Sequence, residues 1–416
     1  MGRKLKIISL YTGAGGLDYG FEAARFKTAV AVEMDAACCR TLRYNRKWPV
    51  IERSIYEVPT QELLEVAGLD SGEADVLIGG PPCQPFSKSG YWAHGDALRL
   101  EDPRAQTLAA YLRVLEEAQP RAFLLENVEG LSYAGKSEGL KLLLDAIKKI
   151  NKRTGSSYQP EFSVLSSAAH GVPQMRNRFF MVGARDGSRF SFPSATHAAR
   201  PEETDGELFE GGELKRYSTA WDALADVEPD PDEDLAMRGK WARLLPSVPE
   251  GENYLWHTDR GGGLPLFGWR RRFWSFLLKL AKDRPSWTIQ AQPGPAVGPF
   301  HWSSRRLSRR ELCRLQTFPD DVEILGSRTA IQKQIGNAVP SALAEVLARE
   351  IRRQFLGMRP IKGCSTLLPP DRGDPPSPEP VERVVADYRH LAGEHEAHPG
   401  TGKGHAAAAR VKVRSA

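Results

Sequence analysis

The chain has 416 residues, with 57 lysines and arginines against 52 aspartates and glutamates, and a formal net charge of +5. This length predicts two folded units plus extensions, and the mild basicity is compatible with a polyanionic partner without establishing one. The sequence has no secretion signal and no apolar run long enough to span a bilayer, which predicts a soluble, cytoplasmic protein. Five cysteines without a C-x-x-C pair favour a reducing compartment and argue against a metal site.

The first part of the sequence alternates short β-prone runs with helical patterns. The runs are Leu5 to Leu10, Thr28 to Glu33, Ala74 to Ile78, Ala122 to Leu125 and Phe179 to Val182. Helical patterns between them include Gln106 to Ala118 and Glu138 to Ile150. This alternation predicts an α/β fold with a parallel sheet flanked by helices. Because ligands bind beyond the carboxyl ends of the strands in such sheets, we expect Gly13, Cys83 and Glu126 to share one crevice.

The regular alternation ends near Phe190, and the irregular sequence from there to about Phe300 predicts a separate small domain. Patterning returns at Ser308-Arg309-Arg310-Glu311, which has the form of a capping box and predicts the start of a helix. A last helix is predicted from about Pro340 to Phe355. The sequence beyond it is rich in Pro, Gly, Ala and charge, so residues 358–416 are predicted to form a flexible, disordered tail.

A glycine-rich turn, Gly13-Ala14-Gly15-Gly16, follows the first β-prone run. Such a turn lets a backbone approach a ligand closely, and Glu33 ends the second run at the position where an acid binds ribose hydroxyls. The turn lacks the full G-x-G-x-x-G phosphate fingerprint. These residues alone are compatible with NAD, with S-adenosylmethionine or with tight packing.

Cys83 follows two prolines, Pro81 and Pro82, shortly after the third β-prone run. A lone cysteine in such a place is more often a packing residue than a nucleophile. Its context favours the nucleophile, because Glu126-Asn127 and Gln174-Met175-Arg176-Asn177-Arg178 follow in that order. A thiolate that adds to a ring, a carboxylic acid that supplies a proton and guanidinium groups that bind a carbonyl can act together on a polar base.

This ordered set, with Tyr11 to Gly16 at one end and Gln334 to Pro340 at the other, resembles the DNA cytosine-5 methyltransferases of the bacterial restriction-modification type. The resemblance covers about Ile8 to Phe355. It implies a Rossmann-like S-adenosylmethionine-dependent methyltransferase sheet with a second, smaller target-recognition domain. The implied domains are a catalytic and cofactor-binding domain at 1–189, a target-recognition domain at 190–302, a segment returning to the catalytic domain at 303–357 and the tail at 358–416.

The resemblance also implies the reaction, which is methylation of C5 of a cytosine within a specific double-stranded DNA sequence. Cys83 would add to C6 of the ring, and Glu126 would protonate N3. Arg178 would bind the cytosine O2, with Arg176 in support. Because C6 is hidden inside a stacked duplex, the target base must be flipped out of the helix.

The cofactor implied by the resemblance is S-adenosyl-L-methionine. Tyr11 and Met34 match adenine contacts, and Glu33 matches the ribose-binding acid. Where the family commonly has an acidic residue before an apolar one, this chain has Ser54 before Ile55. The predicted cofactor-binding residues are Tyr11, Gly13, Gly15, Gly16, Leu17, Glu33, Met34, Ser54, Ile55, Pro82, Asn337 and Val339.

Two regions are predicted to contact DNA. The polar segment after the nucleophile resembles the family's loop that closes over a ligand. A run of three arginines in the small domain stands beside Trp269, Phe273 and Trp274 and suits phosphates and base edges, although these aromatics are equally compatible with a domain core. The predicted DNA-binding residues are Ser87, Arg104, Arg270, Arg271 and Arg272.

We therefore interpret the chain as a monomeric DNA (cytosine-5)-methyltransferase, the modification half of a restriction-modification or related defence system that also contains an endonuclease. The alternatives are a tRNA methyltransferase, an orphan regulatory methylase and a non-catalytic DNA-binding descendant. The long region between Arg178 and Ser308 disfavours the first, and the intact set of Cys83, Glu126 and Arg178 disfavours the last. A dehydrogenase would leave Pro82-Cys83 and Glu126-Asn127 unexplained.

Overall fold

The computed structural model describes residues 4–82, 103–132, 137–199, 214–269 and 273–395. The strands are β1 Leu5–Leu10, β2 Phe26–Glu33, β3 Val50–Glu52, β4 Val76–Gly79, β5 Ala122–Val128, β6 Glu161–Ser166, β7 Gln174–Met175, β8 Asn177–Ala184, β9 His197–Ala198, β10 Lys215–Arg216 and β11 Ser286–Trp287. The α-helices are α1 Gly16–Ala23, α2 Ala36–Asn45, α3 Thr60–Ala67, α4 Pro103–Ala118, α5 Ser137–Thr154, α6 Ala220–Leu224, α7 Arg309–Leu315, α8 Arg328–Asn337, α9 Ser341–Gln354 and α10 Ala386–Arg389. Short 3-10 helices include Ile55–Glu57, Glu129–Ser132, Ala168–His170, Ala242–Ser247 and Tyr254–His257. Within these described ranges no helix is both long and apolar enough to cross a membrane.

A central sheet of seven strands has the order β3-β2-β1-β4-β5-β8-β6. Strands β1 to β5 pair in parallel, whereas β8 is antiparallel to both of its neighbours, β5 and β6. The prediction of a parallel sheet is therefore wrong at β8. The connection from Ser167 to Arg176 is shorter than the roughly twelve residues that a parallel crossover requires, so the chain reverses direction there. The sequence patterns do not predict β3 or β6.

Hydrophobic clusters cover both faces of this sheet. Tyr111 of α4 belongs to the cluster on one face, while Phe21 of α1 and Leu347 of α9 belong to the cluster on the other. Within β1, Ile8 contributes to the first cluster and Ile7 to the second, because neighbouring residues of a strand point to opposite faces. Helices therefore pack on both faces of the sheet, and the predicted site residues lie at the ends of its strands.

Helix α9, near the end of the chain, packs closely against α1, near its beginning. A Cβ added at Gly16 would lie 2.4 Å from the carbonyl oxygen of Val339, and one added at Gly20 would lie 2.4 Å from that of Ser341. Only glycine permits so close an approach at these two positions. The domain that contains the sheet is thus built from both ends of the chain.

A separate hydrophobic cluster lies within the sequence between Met237 and Phe300, and we call it the small-domain core. Its buried residues are Leu244, Leu245, Val248, Tyr254, Leu266, Leu277 and Phe300, together with Tyr388 from the end of the chain. Other residues of the segment 190–302 pack elsewhere. Phe190 joins the α1 and α9 side of the sheet, and Ala220 joins a third cluster with α7 and α8.

The capping box predicted at Ser308 is confirmed, because the Ser308 hydroxyl accepts from the backbone N–H of Glu311 and the Glu311 carboxylate accepts from that of Ser308. The flexible tail predicted at residues 358–416 is contradicted as far as residue 395. Leu367 packs on the sheet domain, and Tyr388 is buried in the small-domain core. A few anchoring side chains hold a stretch whose composition alone is typical of disorder. The rest of the predicted tail lies outside the described residues.

Candidate active site

Three neighbouring parallel strands end at the same edge of the sheet. Leu10 of β1, Gly79 of β4 and Leu125 of β5 are paired in register. The glycine turn, the chain leading towards Cys83, and Glu126 follow these three residues directly, so the pairing brings them to one edge. Cys83 itself lies outside the described residues.

Glu126 forms an ion pair with Arg178 of the adjacent strand. The Arg178 Nε lies 2.8 Å from Glu126 Oε1, and only 16% and 13% of the two side chains are exposed. A Cβ added at Gly80 would lie 2.6 Å from Glu126 Oε2, so the glycine before the prolines leaves room for the carboxyl group. Arg178 also donates from Nη1 to the carbonyl oxygen of Asn177.

Burial raises the pKa of Glu126, and the positive charges of Arg178 and Arg176 oppose this shift without cancelling it. Removal from water disfavours the ionised carboxylate, so the group retains its proton to higher pH than an ordinary glutamate. A carboxylic acid of this kind can donate a proton to a bound heterocycle. The electrostatics of the site therefore suit the general-acid role predicted for Glu126.

Arg176 is fully buried, with 1% of its surface exposed. The alternation of Arg176 and Arg178 before the β-prone run Phe179 to Val182 predicts an exposed edge, and this prediction is wrong for the buried side chain of Arg176. Its guanidinium donates to the carbonyl oxygens of Ile289, at 3.2 Å, and Gly336, at 2.7 Å. Burial and the nearby charge of Arg178 lower the pKa of Arg176 to about 9, which still leaves it charged at neutral pH. Arg176 thus joins the start of β8 to two segments that lie far along the chain.

Gln174 makes a second set of links from the same motif. Its buried side-chain amide donates to the Leu315 carbonyl and to Gln316 Oε1, each at 3.1 Å. Its Oε1 accepts from the backbone N–H of Ile289 at 3.1 Å. Gln174 therefore links the start of this motif to the segment around Ile289 and to the end of α7.

Asn127 supports the chain that leads to Cys83. Its side-chain amide donates to the Pro81 carbonyl at 3.3 Å, and its Oδ1 accepts from the backbone N–H of Val128 at 2.8 Å. The carbonyl of Pro82 accepts from the Thr107 hydroxyl at 3.3 Å. The bond from Asn127 therefore attaches Pro81 to β5, and the bond from Thr107 attaches Pro82 to α4.

The carboxylate of Glu33 organises the turn predicted to bind the cofactor. It accepts three backbone N–H groups, from Gly13 at 2.7 Å and from Met34 and Asp35 at 2.8 Å each. A carboxylate offers about four acceptor positions, so capacity for a ligand hydroxyl remains. Met34 is 70% exposed beside it. An acidic and an apolar group therefore stand together at the end of β2.

The glycines of this turn are required for different reasons. Gly13 has φ +57°, and nothing lies within 4 Å of a Cβ added there. Gly15 has φ +88°, and a Cβ would meet the Tyr19 ring at 2.9 Å, while Gly16 faces Val339 as described above. The sequence predicts that this turn comes close to a ligand. At Gly15 and Gly16, however, the close contacts are with other residues of the protein, Tyr19 and Val339. Only Gly13 faces open space.

The other predicted cofactor residues differ in exposure. Tyr11 has a positive φ of 55° and donates its hydroxyl to the Thr107 carbonyl at 2.6 Å, which joins β1 to α4. Ser54 is partly exposed, and Asn337 at the end of α8 is exposed. The predicted residues that are buried in hydrophobic clusters are Leu17, Ile55 and Val339.

A surface groove adjoins the Glu126–Arg178 pair. It is lined by Val128, Glu129, Gly130, Met175, Asn177, Arg178 and Thr288. Met175 pairs with Trp287 where β7 and β11 run in parallel, and the two side chains are 42% and 54% exposed, whereas their neighbours Gln174 and Ser286 are buried. Residues paired in register share a face of a sheet, so Met175 and Trp287 form one exposed apolar surface.

Sequence reasoning did not identify Met175, Trp287 or Thr288 as site residues. Thr288 donates its hydroxyl to the Met175 carbonyl. No local motif surrounds Trp287, and its proximity to the site arises only from the β7–β11 pairing.

Most of the predicted DNA contacts fall outside the described part of the chain. Arg104 lies in the first turn of α4, but its side chain is not among the described groups. Phe273 and Trp274, which flank the arginine run, are 42% and 60% exposed. The Arg260 guanidinium lies over the Trp269 ring, 4.1 Å from the ring centroid. The predicted site residues that lie outside the described part of the chain are Cys83, Ser87, Arg270, Arg271 and Arg272.

Comparison with known proteins gives a consistent assignment. The model of the family "C-5 cytosine-specific DNA methylase" matches residues 5–353. The type II methyltransferase M.SacI of Streptomyces achromogenes is 40% identical over 396 residues, which is 90% of this chain and 98% of that protein. M.NgoFVII of Neisseria gonorrhoeae, also a type II methyltransferase, is 32% identical over 84% of this chain and 86% of its own length.

Solved structures share the fold at lower identity. A DNA modification methyltransferase encoded within an E. coli prophage superposes with a TM-score of 0.60 at 20% identity, covering 85% of this chain and all of that one. The DNMT2 of Spodoptera frugiperda gives 0.55 at 16% identity, covering 82% and 98%. With the family match over most of its length, the chain belongs to the C-5 cytosine-specific DNA methylases, and its reaction is the methylation of cytosine C5 in DNA.

Proposed function

We propose that this chain is the modification enzyme of a type II restriction-modification system. It would methylate one cytosine within a specific duplex sequence and so protect that sequence from a partner endonuclease. The similarity to M.SacI over 98% of that protein's length supports this proposal. The observation that carries the chemistry is the largely buried Glu126–Arg178 pair at the carboxyl end of β5.

The proposed mechanism assigns one role to each polar group. The Cys83 thiolate adds to C6 of the flipped cytosine, and the protonated Glu126 supplies a proton to N3 so that negative charge does not build up on the ring. Arg178 donates to the cytosine O2 and holds the Glu126 carboxyl in place. The Arg176 guanidinium donates to two backbone carbonyl oxygens. Its proposed role is therefore to position the strand that carries Arg178, without touching the base.

The residues at the ends of β1 and β2 fit S-adenosyl-L-methionine, which would supply the methyl group. Glu33 has the remaining acceptor capacity that a ribose hydroxyl requires, and Met34 presents an exposed apolar side chain beside it. Gly13 leaves open space where a side chain would stand. Tyr11 and Ser54 border this region, and Asn337 and Pro82 are the further exposed residues of the predicted set.

We propose that the small-domain core and the loops around it recognise the DNA sequence. The arginine run Arg270-Arg271-Arg272 is placed between Trp269 and the exposed Phe273 and Trp274, a combination suited to phosphates and stacked bases. The groove beside Glu126 and Arg178 would receive the strand that carries the flipped base. Ser87 and Arg104 would contact DNA from the loop after Cys83.

Bisulfite sequencing of DNA from cells that express the chain tests the proposal directly. The expected result is 5-methylcytosine at one position of one short sequence, with a matched Glu126→Gln culture as the control. DNA so modified should resist an endonuclease that cuts the same sequence. Methylation spread over all sequence contexts, or modified cytosine in tRNA but not in DNA, would contradict it.

A further inference from the structure

The chain continues beyond the part that matches the family, which ends at residue 353. We call residues 363–391 the C-terminal strap, because they contact first the sheet domain, then α6 and finally the small-domain core. The central part of the strap, Asp374-Pro375-Pro376-Ser377-Pro378-Glu379-Pro380, has four prolines in seven residues. Proline-rich segments are extended and semi-rigid, so they act as spacers of nearly fixed length.

The first end of the strap is attached to α9 through a buried carboxylate. Glu345 is fully buried and accepts from the Ser365 hydroxyl, at 2.5 Å, and from the backbone N–H of Thr366, at 2.9 Å. Arg349, one turn further along α9, also forms an ion pair with Glu345. Leu368 packs with Leu367 against the adjoining hydrophobic cluster. This combination of buried polar and apolar contacts fixes the start of the strap on the sheet domain.

The strap next contacts α6. The backbone N–H of Arg372 donates to Asp222 Oδ1 at 2.8 Å, and the Arg372 guanidinium forms an ion pair with Asp226 at 2.7 Å. Asp371 forms an ion pair with Arg216 at 2.5 Å. These contacts fix the direction in which the proline-rich spacer leaves the sheet domain.

The far end of the strap completes the small domain. The Lys282 ammonium, with only 4% of its side chain exposed, donates to Glu250 at 2.9 Å and to the Ser377 carbonyl and Glu379 carboxylate at 3.1 Å each. Two of these three acceptors belong to the strap. A buried charge that loses its partners is strongly destabilising, so the position of Lys282 depends on the strap.

Tyr388 supplies an apolar anchor at the same end. It is 6% exposed and stacks on Trp241 with ring centroids 5.8 Å apart and planes 23° from parallel. Its hydroxyl donates to the Lys240 carbonyl at 2.9 Å. The small-domain core therefore includes a residue that lies beyond the family match.

We propose that the C-terminal strap is a positioning element, which holds the small domain in a set orientation against the sheet domain. Two buried anchors joined by a stiff spacer fix the separation of the surfaces to which they are attached. Given the proposed role of the small domain in recognition, the strap would also set the affinity for DNA, while leaving the cofactor site at the ends of β1 and β2 unaffected.

Cutting the strap in the folded, full-length protein tests this proposal. A recognition sequence for a site-specific protease is inserted between Gly373 and Asp374, both exposed, and the protein is compared before and after cleavage. The same insertion between residues 400 and 401 is the matched control. Cleavage at the first site should increase hydrogen exchange in the helices Ala242–Ser247 and Tyr254–His257, and should raise the KM for DNA roughly tenfold. The dissociation constant for S-adenosylmethionine should stay within about twofold of its starting value.

The possible outcomes test the strap proposal separately from the proposal that the small domain recognises DNA. Unchanged hydrogen exchange in the small domain after cleavage would overturn the strap proposal, as would loss of cofactor binding together with DNA binding. Increased exchange with an unchanged KM for DNA would support the strap and contradict recognition by the small domain.

A pair of substitutions at one position provides a second measurement that does not require cleavage. Tyr388→Ala removes the ring that stacks on Trp241, and we expect it to raise both hydrogen exchange and the KM for DNA as cleavage does. Tyr388→Phe retains the ring and loses only the hydroxyl, so it should restore values close to those of the unsubstituted protein. Equal behaviour of the two variants would contradict anchoring through the stacked ring.

Discussion

The Glu126 carboxyl and the Arg178 guanidinium, 2.8 Å apart, are joined across adjacent antiparallel strands at the carboxyl end of β5. Arg178 would otherwise favour the ionised carboxylate, yet burial dominates and raises the pKa of Glu126. In the proposed mechanism, the pair therefore combines a proton donor for N3 with a guanidinium for the neighbouring O2. Its electrostatic balance determines the first prediction.

Glu126→Gln should lower kcat by roughly 10²- to 10⁴-fold, because an amide cannot transfer the proton. In the unsubstituted enzyme, kcat should fall as the pH rises through the raised pKa of Glu126, and this limb should be absent in the variant. The free energy of unfolding should also decrease as the pH rises. A carboxyl whose folded pKa is raised contributes stability below its unfolded pKa, and this contribution is lost as the pH rises through the folded pKa. Single-turnover rates and denaturant unfolding across pH measure both effects, and a pH-independent kcat in the unsubstituted enzyme would contradict the role of Glu126.

Cys83→Ser should abolish methylation while leaving the binding of S-adenosylmethionine nearly intact, because the thiolate is proposed to act on the base and the proposed cofactor site lies at the ends of β1 and β2. A duplex with 5-fluorocytosine at the target should become covalently attached to the unsubstituted protein, since fluorine cannot leave as a proton. Gel electrophoresis under denaturing conditions detects the adduct. Normal turnover by the serine variant would refute the assignment.

Substitutions in the glycine turn should separate cofactor binding from folding. Gly13→Asn places a side chain in open space at a φ that asparagine tolerates, so it should weaken S-adenosylmethionine binding with little change in stability. Gly16→Ala should instead reduce the free energy of unfolding by roughly 1–3 kcal/mol, because the new Cβ would meet the Val339 carbonyl. Calorimetry and denaturant unfolding give the two quantities. Equal effects of both variants on stability would show that Gly13 is also a packing residue.

Trp287→Ala should raise the KM for DNA by roughly five- to 150-fold, the loss of about 1–3 kcal/mol expected when an exposed aromatic no longer stacks on a base. The cofactor's dissociation constant should not change. Tyr44→Ala, at a 63% exposed aromatic on α2, is the matched control and should leave the KM for DNA unaltered. If both variants bind DNA as tightly as the parent, the apolar surface of Met175 and Trp287 does not contact the substrate.

Single replacements of Arg270, Arg271 and Arg272 by alanine should fall into two classes. Loss of a base-reading arginine should relax or shift the methylated sequence at a cost of roughly 1–3 kcal/mol, whereas loss of a phosphate-binding one should weaken all sequences alike and reduce the salt dependence. Bisulfite sequencing and binding at several salt concentrations distinguish the classes. An unchanged target and affinity in all three variants would place recognition elsewhere.

The reaction of this protein could be predicted from its sequence because the proposed reacting groups follow strand ends in short, ordered motifs. Cys83 after two prolines, Glu126-Asn127 and the Gln174 to Arg178 motif each occupy one local segment, and a strand end fixes where such a segment points. The glycine turn with Glu33 was recognisable for the same reason. These local patterns were sufficient for the reaction, the fold class and the family.

Only the tertiary structure decided the roles that depend on distant segments. Arg176 receives its two carbonyl partners from positions 113 and 160 residues further along the chain, and no local pattern specifies which segments will supply them. The same holds for Trp287, which reaches the site by pairing with Met175, and for Tyr388, which completes a core about a hundred residues upstream. The composition of the C-terminal strap indicates disorder, but composition measures average hydrophobicity, and a few well-placed anchors are enough to order the chain.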